Sequence, residues 1–473
     1  MGDPFGAGGD FWAVAPTARE DLQRRFRIPP LAPVDAAVRP RRSARSTTVK
    51  HLGVLLLVLW MAVLPGCGRS RESGGPVTLV LKHAKILGPV DPIPHLLAEF
   101  EAEHPGVRVK AEVLPWSSDE QRQFLVINLE GGRPGFDVMM LDCIWVPEFA
   151  KAGWLLDLTP DVSREELSAH FPSAVEAGTY EGRTWALPWF MNVGLLYYRA
   201  DLLARHGFSA PATYAEMLEQ VRVIRAAEGN PRLAGYLWQG KQYEGLVVNV
   251  LEGLWADGTS LLDADDHLFP DPGRAEQVLR FLRMLIDTGV SPGWVTAADE
   301  ESTRRPFGNG EAVFLRSWPY AADLFERSDS PVRGKVGLAP LPRQVADRPA
   351  PGSTGGAHLA VTRQTRHPVE AMELTRFLTG PRAQRAMTAS GATKPTRMAL
   401  YHDPELVRAS PTLPRIHDLT LAGRSRPVTP YYVIISTTLQ PELSAALVRV
   451  KSPARSVADA RRRVEFFLRD LHE

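Results

Sequence analysis

The sequence predicts an α/β fold with mostly parallel strands, because segments with strand character alternate along it with segments of helix character. Val77–Leu81 is a β-branched apolar run, and the pattern around Leu96–Phe100 predicts a helix that ends at the breaker His104–Gly106. The chain has 473 residues. At roughly 100–200 residues per domain, this length predicts two or three domains with hydrophobic cores.

The alternation continues through the next part of the chain. Val107–Val113 alternates in hydrophobicity, which predicts a strand, and Ser117–Glu120 is a capping box that begins the next helix. Phe136–Asp142 is a continuous apolar run, typical of a strand that is buried on both faces. The same alternation resumes after Trp189 and again after Gly356.

The composition excludes several classes of protein. The 55 Lys and Arg residues are balanced by 54 Asp and Glu residues, so bulk positive charge cannot drive nucleic-acid binding. Two cysteines cannot form a disulfide framework or a four-thiolate zinc site. The hydrophobic share of 44% and the charged share of 23% are typical of a folded globular protein. Function must therefore come from local features.

The N-terminal region has the pattern of a leader that precedes the folded chain. Residues 1–48 are rich in Pro, Arg, Ala and Gly, so they are either a disordered extension or sequence upstream of the true start codon. Residues 49–66 combine a basic end with the uncharged stretch Leu52–Leu64, which predicts a signal peptide and is short for a membrane span. A buried core helix is the alternative, but such a helix would carry a polar face.

The end of this stretch carries a processing motif. Leu64–Cys67 resembles the lipobox of bacterial lipoproteins, in which a cysteine is lipidated and becomes the first residue of the mature protein. The resemblance implies that Cys67 carries the lipid, that residues 67–76 form a linker, and that acyl chains anchor the protein outside the cytoplasm. Each buried CH₂ group contributes about 0.8 kcal/mol to such an anchor.

The sequence contains no assembled catalytic motif. Gly235–Lys241 nearly matches a phosphate-binding loop, but Gln242 stands where Ser or Thr is needed to hold Mg²⁺. Neither the His-Glu-x-x-His zinc motif nor the Gly-x-Ser-x-Gly elbow occurs, and the twelve His are scattered. We therefore predict no catalytic residue, no metal site and no cofactor. Glycosidase carboxylates meet in space rather than along the chain, so a hydrolase that uses Asp142 and Glu244 is one alternative.

Four clusters instead combine aromatic with polar residues at breaks in regular structure. An aromatic ring can cover the C–H face of a sugar, while Asp, Asn, Glu and Arg bind its hydroxyls with hydrogen bonds worth about 1.5–3 kcal/mol each. Any single Trp is better explained as a core residue, but four clusters in one chain favour carbohydrate binding. The clusters are Asp142–Trp145, Trp185–Asn192, Trp238–Gly245 and Arg316–Tyr320.

Six stretches carry a resemblance that covers most of the chain after the leader. They are Leu97–Val107, Asp137–Trp145, Ala152–Leu158, Ala186–Arg199, Trp238–Leu246 and Arg426–Tyr432. Together they resemble family 1 of the extracellular solute-binding proteins of bacterial ABC sugar importers, and most narrowly the trehalose/maltose-binding lipoproteins.

The resemblance implies a two-lobe periplasmic-binding-protein fold with an inter-lobe hinge and a central ligand cleft. Lobe I would comprise residues 77–188 and 356–395, and lobe II residues 189–355 and 396–473. Hinge closure around the ligand is the expected motion, and the closed complex is what the ABC permease subunits recognise. Contacts from both lobes to the solute stabilise closure.

The resemblance also implies ligand contacts from lobe I and from the crossover. Asp142 and Trp145 follow a strand, at the edge where open α/β sheets bind ligands. Asn192 lies in the crossover, where relatives often carry Asp. Asp91 is the candidate in the Pro-rich loop before the first helix.

Lobe II is expected to supply aromatic and charged contacts. Glu244 would act with Tyr243 and Trp238, and Trp318 is the expected stacking platform. Three further positions complete the implied site: Gly355 and Gly356, which let a ligand approach the backbone, and Arg426, a bidentate donor to adjacent hydroxyls.

The sequence therefore predicts a lipid-anchored, extracytoplasmic, monomeric receptor that is not an enzyme and binds no nucleic acid. It would capture trehalose, maltose or a related α-glucoside by lobe closure and deliver it to an ABC importer. Two alternatives remain. One is the same fold binding an oligopeptide or a polyamine, and the other is a secreted α-glucoside hydrolase.

Overall fold

The structure is a computed structural model that describes residues 76–86, 91–115, 118–344, 350–391 and 393–472, with the side chains of 470–472 left out. All of these residues belong to one structural unit, Ser73–Glu473. The predicted extension, the signal peptide and the lipidated Cys67 lie outside the described residues.

This unit has two halves, each built around one sheet. The first half contains a seven-stranded mixed sheet. The strand order is β12-β6-β11-β3-β1-β2, and β13 pairs with β11. The first three strands are parallel, as predicted, with Val77 opposite Val107 and Leu81 opposite Val138. The strands are β1 Val77–His83, β2 Val107–Val113, β3 Val138–Asp142, β6 Leu187–Val193, β11 Ser353–Val361, β12 Lys394–Pro395 and β13 Arg424–Ser425.

The prediction of mostly parallel pairing is wrong for this sheet. β11 runs antiparallel to both of its long neighbours, β3 and β6, and β12 runs antiparallel to β6. The cause is that the chain leaves the sheet after β6 and comes back as β11 only about 160 residues later, after building the second sheet. The result is a central strand, β11, that pairs with β3, β6 and β13.

Helices cover both faces of the first sheet, which explains the continuous apolar run in β3. Leu79 and Leu81 pack with Leu96 and Phe100 on one face, while Leu141 packs with Phe149 on the other. The helices of this half are α1 Ile93–Glu103, α2 Ser118–Glu130, α3 Val146–Lys151, α4 Arg164–Ser168, α5 Pro172–Ala177, α12 Pro368–Thr379 and α13 Pro381–Ala389. A 3₁₀ turn, Cys143–Trp145, joins β3 to α3, and the two short strands β4 Thr179–Tyr180 and β5 Arg183–Thr184 form a separate hairpin.

A second, four-stranded sheet has the order β10-β7-β9-β8. Its strands are β7 Leu195–Arg199, β8 Ala234–Leu237, β9 Ala312–Ser317 and β10 Val336–Ala339. Every residue of β9 is buried, because this strand lies between β7 and β8 and is covered by helices.

The remaining helices surround the second sheet or pack onto its core. They are α6 Ala200–Arg205, α7 Tyr214–Glu228, α8 Glu244–Ala256, α9 Pro272–Asp287, α10 Glu300–Gly308, α11 Tyr320–Phe325, α14 Pro404–Ala409, α15 Leu413–Leu421, α16 Tyr432–Leu447 and α17 Pro453–His472. Two 3₁₀ turns, Gly293–Ala297 and Met398–His402, complete this half. Within the described part of the chain, no helix combines the length and the apolar character that a membrane span needs.

The two sheets are joined where β6 passes into β7 through Gly194 and where the chain returns from β10 to β11. The predicted lobe boundaries, 188/189 and 355/356, fall inside β6 and β11, so each cuts a strand of the first sheet. The boundaries in detail stay a prediction.

One glycine is required for the close pairing of β6 with β11. Gly356 has φ +124°, and a Cβ there would lie 2.2 Å from the carbonyl oxygen of Phe190. Gly356→Ala should therefore lower the free energy of unfolding by at least about 2 kcal/mol, from backbone strain and overlap. Urea unfolding followed by circular dichroism would measure this loss.

Gly106→Ala is the matched control, because nothing lies within 4 Å of a Cβ at that exposed turn. We expect this control to change stability by less than about 0.5 kcal/mol. Equal unfolding curves for the two variants would contradict the assignment.

Candidate functional site

Three predicted residues, Asp142, Asn192 and Gly355, lie near one another where β3 and β6 end on either side of β11. β3 ends at Asp142, whose backbone pairs with Ala357 of β11. On the other side of β11, Asn192 of β6 pairs with Gly355. Carboxyl ends of strands and the neighbouring crossover are where α/β sheets bind ligands, and the register of β11 alone brings these positions together.

Arg426 joins this edge to the second half of the molecule. It follows β13, which pairs with β11, and it is 7% exposed. Its Nη2 donates to Asp142 Oδ1 at 3.0 Å, and its Nη1 donates to Glu244 Oε1 at 2.9 Å. The side chains of Asp142 and Glu244 are 30% and 21% exposed. We call Asp142, Arg426 and Glu244 the carboxylate–arginine triad.

Glu244 is fixed by more than its ion pair. It begins α8, where the helix dipole favours a negative charge. Its carboxylate also accepts from the Tyr432 hydroxyl at 2.9 Å and from the Ser436 hydroxyl, both on α16. Burial raises the pKa of Glu244, while Arg426 and these hydroxyls oppose that shift. The carboxylate is therefore held in one orientation.

Cys143 lies against the triad without reactive character. Arg426 Nη2 is 3.0 Å from its sulfur, but burial raises the pKa of the Cys143 thiol to about 12. A thiol with such a pKa stays protonated and inert. Gly355 contacts the same guanidinium, because a Cβ at this position would lie 3.4 Å from Arg426 Nη2.

A second group of side chains surrounds Glu300 at the start of α10 and includes Tyr243, the residue that directly precedes Glu244 of the triad. Trp318 Nε1 donates to Glu300 Oε1 at 3.3 Å, and the Arg316 guanidinium lies 3.9 Å from the centre of the Trp318 ring. The Tyr243 hydroxyl is buried and lies next to the Glu300 carboxylate. Burial and the nearby Glu300 carboxylate both raise the pKa of Tyr243. We call Tyr243, Trp318 and Glu300 the aromatic–carboxylate group.

A buried ion pair links β9, which precedes Trp318, to α8, which begins at Glu244. Arg316 on β9 and Glu252 on α8 are 1% and 4% exposed. Arg316 Nε and Nη2 donate to the two Glu252 oxygens at 2.9 and 2.6 Å. Glu252 Oε1 also accepts from the backbone N–H of Ser353 at 3.0 Å, and a Cβ on Gly194 would lie 2.0 Å from that oxygen. The pair therefore lies where the two sheets join.

Similarity to known proteins identifies this architecture. The profile of the bacterial extracellular solute-binding proteins matches residues 89–385. The chain belongs to this family. A probable ABC transporter-binding protein of Deinococcus radiodurans is 34% identical over 336 residues, which are 70% of this chain and 79% of that protein.

Solved structures agree with the fold. The maltose-bound MalE3 of T. maritima is 34% identical and aligns with a TM-score of 0.75 over 83% of this chain and 100% of its own. A ribitol-bound ABC transporter solute-binding protein of Agrobacterium radiobacter K84 is 22% identical, with a TM-score of 0.71 over 82% of this chain and 98% of its own. The two-lobe α/β fold predicted for this solute-binding protein is therefore confirmed.

Two of the predicted aromatic contacts are core residues in the structure. Trp145 is 3% exposed and packs with Leu125 and Phe149. Trp238 is fully buried, and its Nε1 donates to Ser291 Oγ at 3.1 Å. The prediction that these two residues contact the ligand is wrong, because a ring that is enclosed by apolar neighbours has no free face for a sugar.

The outcome differs among the other predicted positions. Asp91 is exposed, and its carboxylate accepts from the backbone N–H of Ile93, at the start of α1. Gly356 is explained by strand pairing rather than by close approach of a ligand. The structure places Asp142, Glu244 and Arg426 in contact, pairs Asn192 with Gly355, and brings Tyr243 and Trp318 to Glu300. That these seven residues contact a ligand stays a prediction.

Sequence reasoning missed Glu300 and the Arg316–Glu252 pair. The signal for the pair was present, because Arg316 ends an apolar strand and Glu252 interrupts an apolar helix. Charged residues at such positions are almost always paired. No comparable signal marked Glu300, whose surroundings come from separate parts of the chain.

Removing one member of the buried pair should be costly. Glu252→Gln leaves the Arg316 charge buried without its partner, so we expect it to lower the free energy of unfolding by about 3–5 kcal/mol. Denaturant unfolding monitored by tryptophan fluorescence would measure the difference.

Glu276→Gln is the control, because the Arg280–Glu276 pair lies on the surface of α9. Surface pairs contribute about 1 kcal/mol or less. If both variants lost the same small amount, the pair at the junction would not have the structural role assigned to it.

Proposed function

We propose that this solute-binding protein captures a neutral sugar between its two lobes and delivers it to an ABC importer. Trehalose, maltose or a related α-glucoside is the proposed class. One observation carries the proposal: Arg426 joins Asp142, at the end of a strand of the first sheet, to Glu244, and Glu244 directly follows Tyr243 of the aromatic–carboxylate group. The maltose-bound relative at 34% identity supports the same class.

The chemistry of the two groups suits a hydroxyl-rich ligand. Asp142 and Glu244 offer acceptor oxygens, Asn192 offers both a donor and an acceptor, and Trp318 is only partly buried. A pyranose has an apolar C–H face and a rim of hydroxyls, so it needs this combination of a ring and polar groups. Because the groups come from both halves, a bound sugar would add contacts that favour the closed arrangement.

The hydrolase alternative fits the geometry poorly. Glycoside hydrolysis needs two carboxylates that flank the scissile bond. Here the Arg426 guanidinium lies between Asp142 and Glu244 and hydrogen-bonds to both. A substrate bond therefore has no room between these two carboxylates.

A lipid anchor at Cys67 is part of the proposal and rests on the lipobox-like Leu64–Cys67. It would hold the receptor outside the cytoplasm and close to the permease subunits.

Isothermal titration calorimetry against trehalose, maltose, sucrose and their monosaccharides tests the ligand class. We expect a neutral α-glucoside to bind. Trp318→Ala should weaken that binding at least about tenfold, since a lost aromatic contact of about 1.4 kcal/mol corresponds to one decade of affinity. Phe467→Ala, on the exposed face of α17, is the control and should bind as the unchanged protein does. The absence of both heat and thermal shift with every sugar would refute the proposal.

Cys67→Ser tests the anchor. The unchanged protein should incorporate a palmitate analogue and sediment with membranes when expressed in a bacterial host, whereas the variant should do neither. Cys143→Ser is the matched control, because it removes the other cysteine and leaves the motif intact. Equal labelling of unchanged protein and Cys67→Ser would exclude lipidation at this position.

A further inference from the structure

The outward face of the last helix carries two large apolar side chains that the core does not enclose. α17 packs on the second half of the molecule through Val457, Ala460 and Val464. Phe466 and Phe467 are instead 58% and 45% exposed, with their ring centres 5.8 Å apart. Single exposed apolar residues are common, but contiguous apolar surface with a polar rim marks an interaction site.

The two rings belong to a groove between α17 and α16. The groove has a volume of about 390 Å³. Its lining residues are Thr437, Thr438, Pro441, Arg462, Arg463, Phe466 and Phe467. Ile434, which is 37% exposed, lies one turn before Thr437 on the same side of α16. Apolar side chains and guanidinium groups therefore share one outward surface, made of Ile434 and the groove residues, which we call the α16–α17 face.

The ion pairs beside this face leave an excess of positive charge. The two carboxylates involved, Glu442 and Asp459, are only 2% and 10% exposed. Their cationic partners are Lys451, Arg455, Arg462 and Arg463. Lys451 contacts both carboxylates, at 2.5 and 2.9 Å. Four cations thus share two carboxylates.

The exposed members of these pairs are the cations. Arg455, Arg462 and Arg463 are 69%, 65% and 54% exposed, whereas the carboxylates lie beneath them. The sequence of residues 432–473 has the same sign, with seven Lys and Arg against five Asp and Glu. The α16–α17 face therefore presents positive charge around its apolar rings.

This charge determines which occupant fits the face. A second copy of the chain would bring two positive faces together, and like charges repel. An anionic phospholipid surface offers phosphate groups for the guanidinium groups and an apolar layer for the rings. Exposed aromatic residues together with Lys and Arg on a helix are typical of contact with such an interface.

The proposed anchor keeps a bilayer within reach of this face. Nine residues separate Cys67 from Val77, where β1 begins, and they can span at most about 30 Å. A lipidated Cys67 would therefore hold the folded unit close to the membrane. Contact with that membrane would then occur at a high effective concentration.

We propose that the α16–α17 face is a membrane-contact surface for anionic phospholipids. In this arrangement, Phe466 and Phe467 enter the boundary between headgroups and acyl chains, while Arg462 and Arg463 bind lipid phosphates. The contact gives the anchored receptor a defined orientation on the bilayer. This inference rests on the anchor of the proposed function and adds a second, reversible membrane contact to it.

Vesicle co-sedimentation of the chain from Gly68 to Glu473 tests the surface without any lipid anchor. This chain contains the whole structural unit that begins at Ser73. It should bind vesicles of phosphatidylglycerol and phosphatidylcholine in equal parts at least about tenfold more tightly than vesicles of phosphatidylcholine alone. Raising the salt concentration from about 0.1 M to about 1 M should weaken the binding, because screening then acts within about 3 Å.

Two kinds of variant separate the apolar from the charged contribution. The double variant Phe466→Ala, Phe467→Ala should weaken binding to the mixed vesicles at least about tenfold. Arg462→Gln should weaken it about fivefold and reduce its dependence on salt. Asp459 keeps Lys451 and Arg455 as partners in this variant, so the fold is retained.

Matched controls exist elsewhere on the surface. Trp294→Ala removes another aromatic side chain from a residue that is 45% exposed. Arg222→Gln removes the charge of an arginine on α7 that is 69% exposed and ion-paired, as Arg462 is. Both controls should bind the mixed vesicles as the unchanged chain does. Thermal unfolding of each variant separates loss of fold from loss of binding.

The outcomes separate this inference from the proposed function. Absence of binding to both kinds of vesicle would overturn the membrane contact, and an acidic protein partner at this face would give that result. Equal binding to both kinds of vesicle, or equal binding by the unchanged chain and the double Phe variant, would also overturn it. Failure of the proposed function is visible elsewhere, in the sugar calorimetry and in the palmitate labelling of Cys67, neither of which involves the α16–α17 face.

Discussion

The buried Arg316–Glu252 ion pair is the interaction on which the arrangement of the site depends. Two charges removed from water cost several kcal/mol, and only complete hydrogen bonding offsets that cost. Here Gln239 Oε1 accepts from Arg316 Nη1 at 3.3 Å, and the Ser353 N–H donates to Glu252. The pair ties β9 and α8 of one half to the first residue of β11 in the other. Trp318 and Glu244 are carried by the elements that this pair fixes.

Arg426, unlike the buried pair, contacts the side chains of residues from both halves of the molecule. Asp142 ends a strand of the first sheet, and Glu244 begins a helix that packs on the second. Any separation of these two carboxylates must break at least one hydrogen bond to the guanidinium. The triad therefore contributes to the free energy that holds the two halves in the arrangement seen here.

Sequence patterns were sufficient for the elements whose neighbours are close along the chain. The β1–α1–β2 unit and the buried β3 follow from periodicity and helix breakers, and all were predicted. The antiparallel return of β11 could not be, since nothing local in residues 353–361 specifies which strands lie beside it. Its position is set by the second sheet, which forms between β6 and β11.

The same limit applies to the site. Asp142, Glu244 and Arg426 were predicted individually, and the structure brings them into contact across 182 and 284 residues of sequence. The predictions for Trp145 and Trp238 were wrong because a buried ring and a sugar-stacking ring have the same kinds of neighbours in the sequence. Glu300 was missed because the side chains beside it, Tyr243 and Trp318, come from other parts of the chain, and only three-dimensional packing brings them together.

Tyr243 and Glu244 are consecutive residues, yet the first belongs to the aromatic–carboxylate group and the second to the carboxylate–arginine triad. Tyr243 is fully extended, with φ −167°, and α8 begins at the next residue. A one-residue insertion or deletion in the preceding loop would thus displace both groups from register at once. A side-chain replacement at fixed loop length would instead change one of the two groups and leave the other in register.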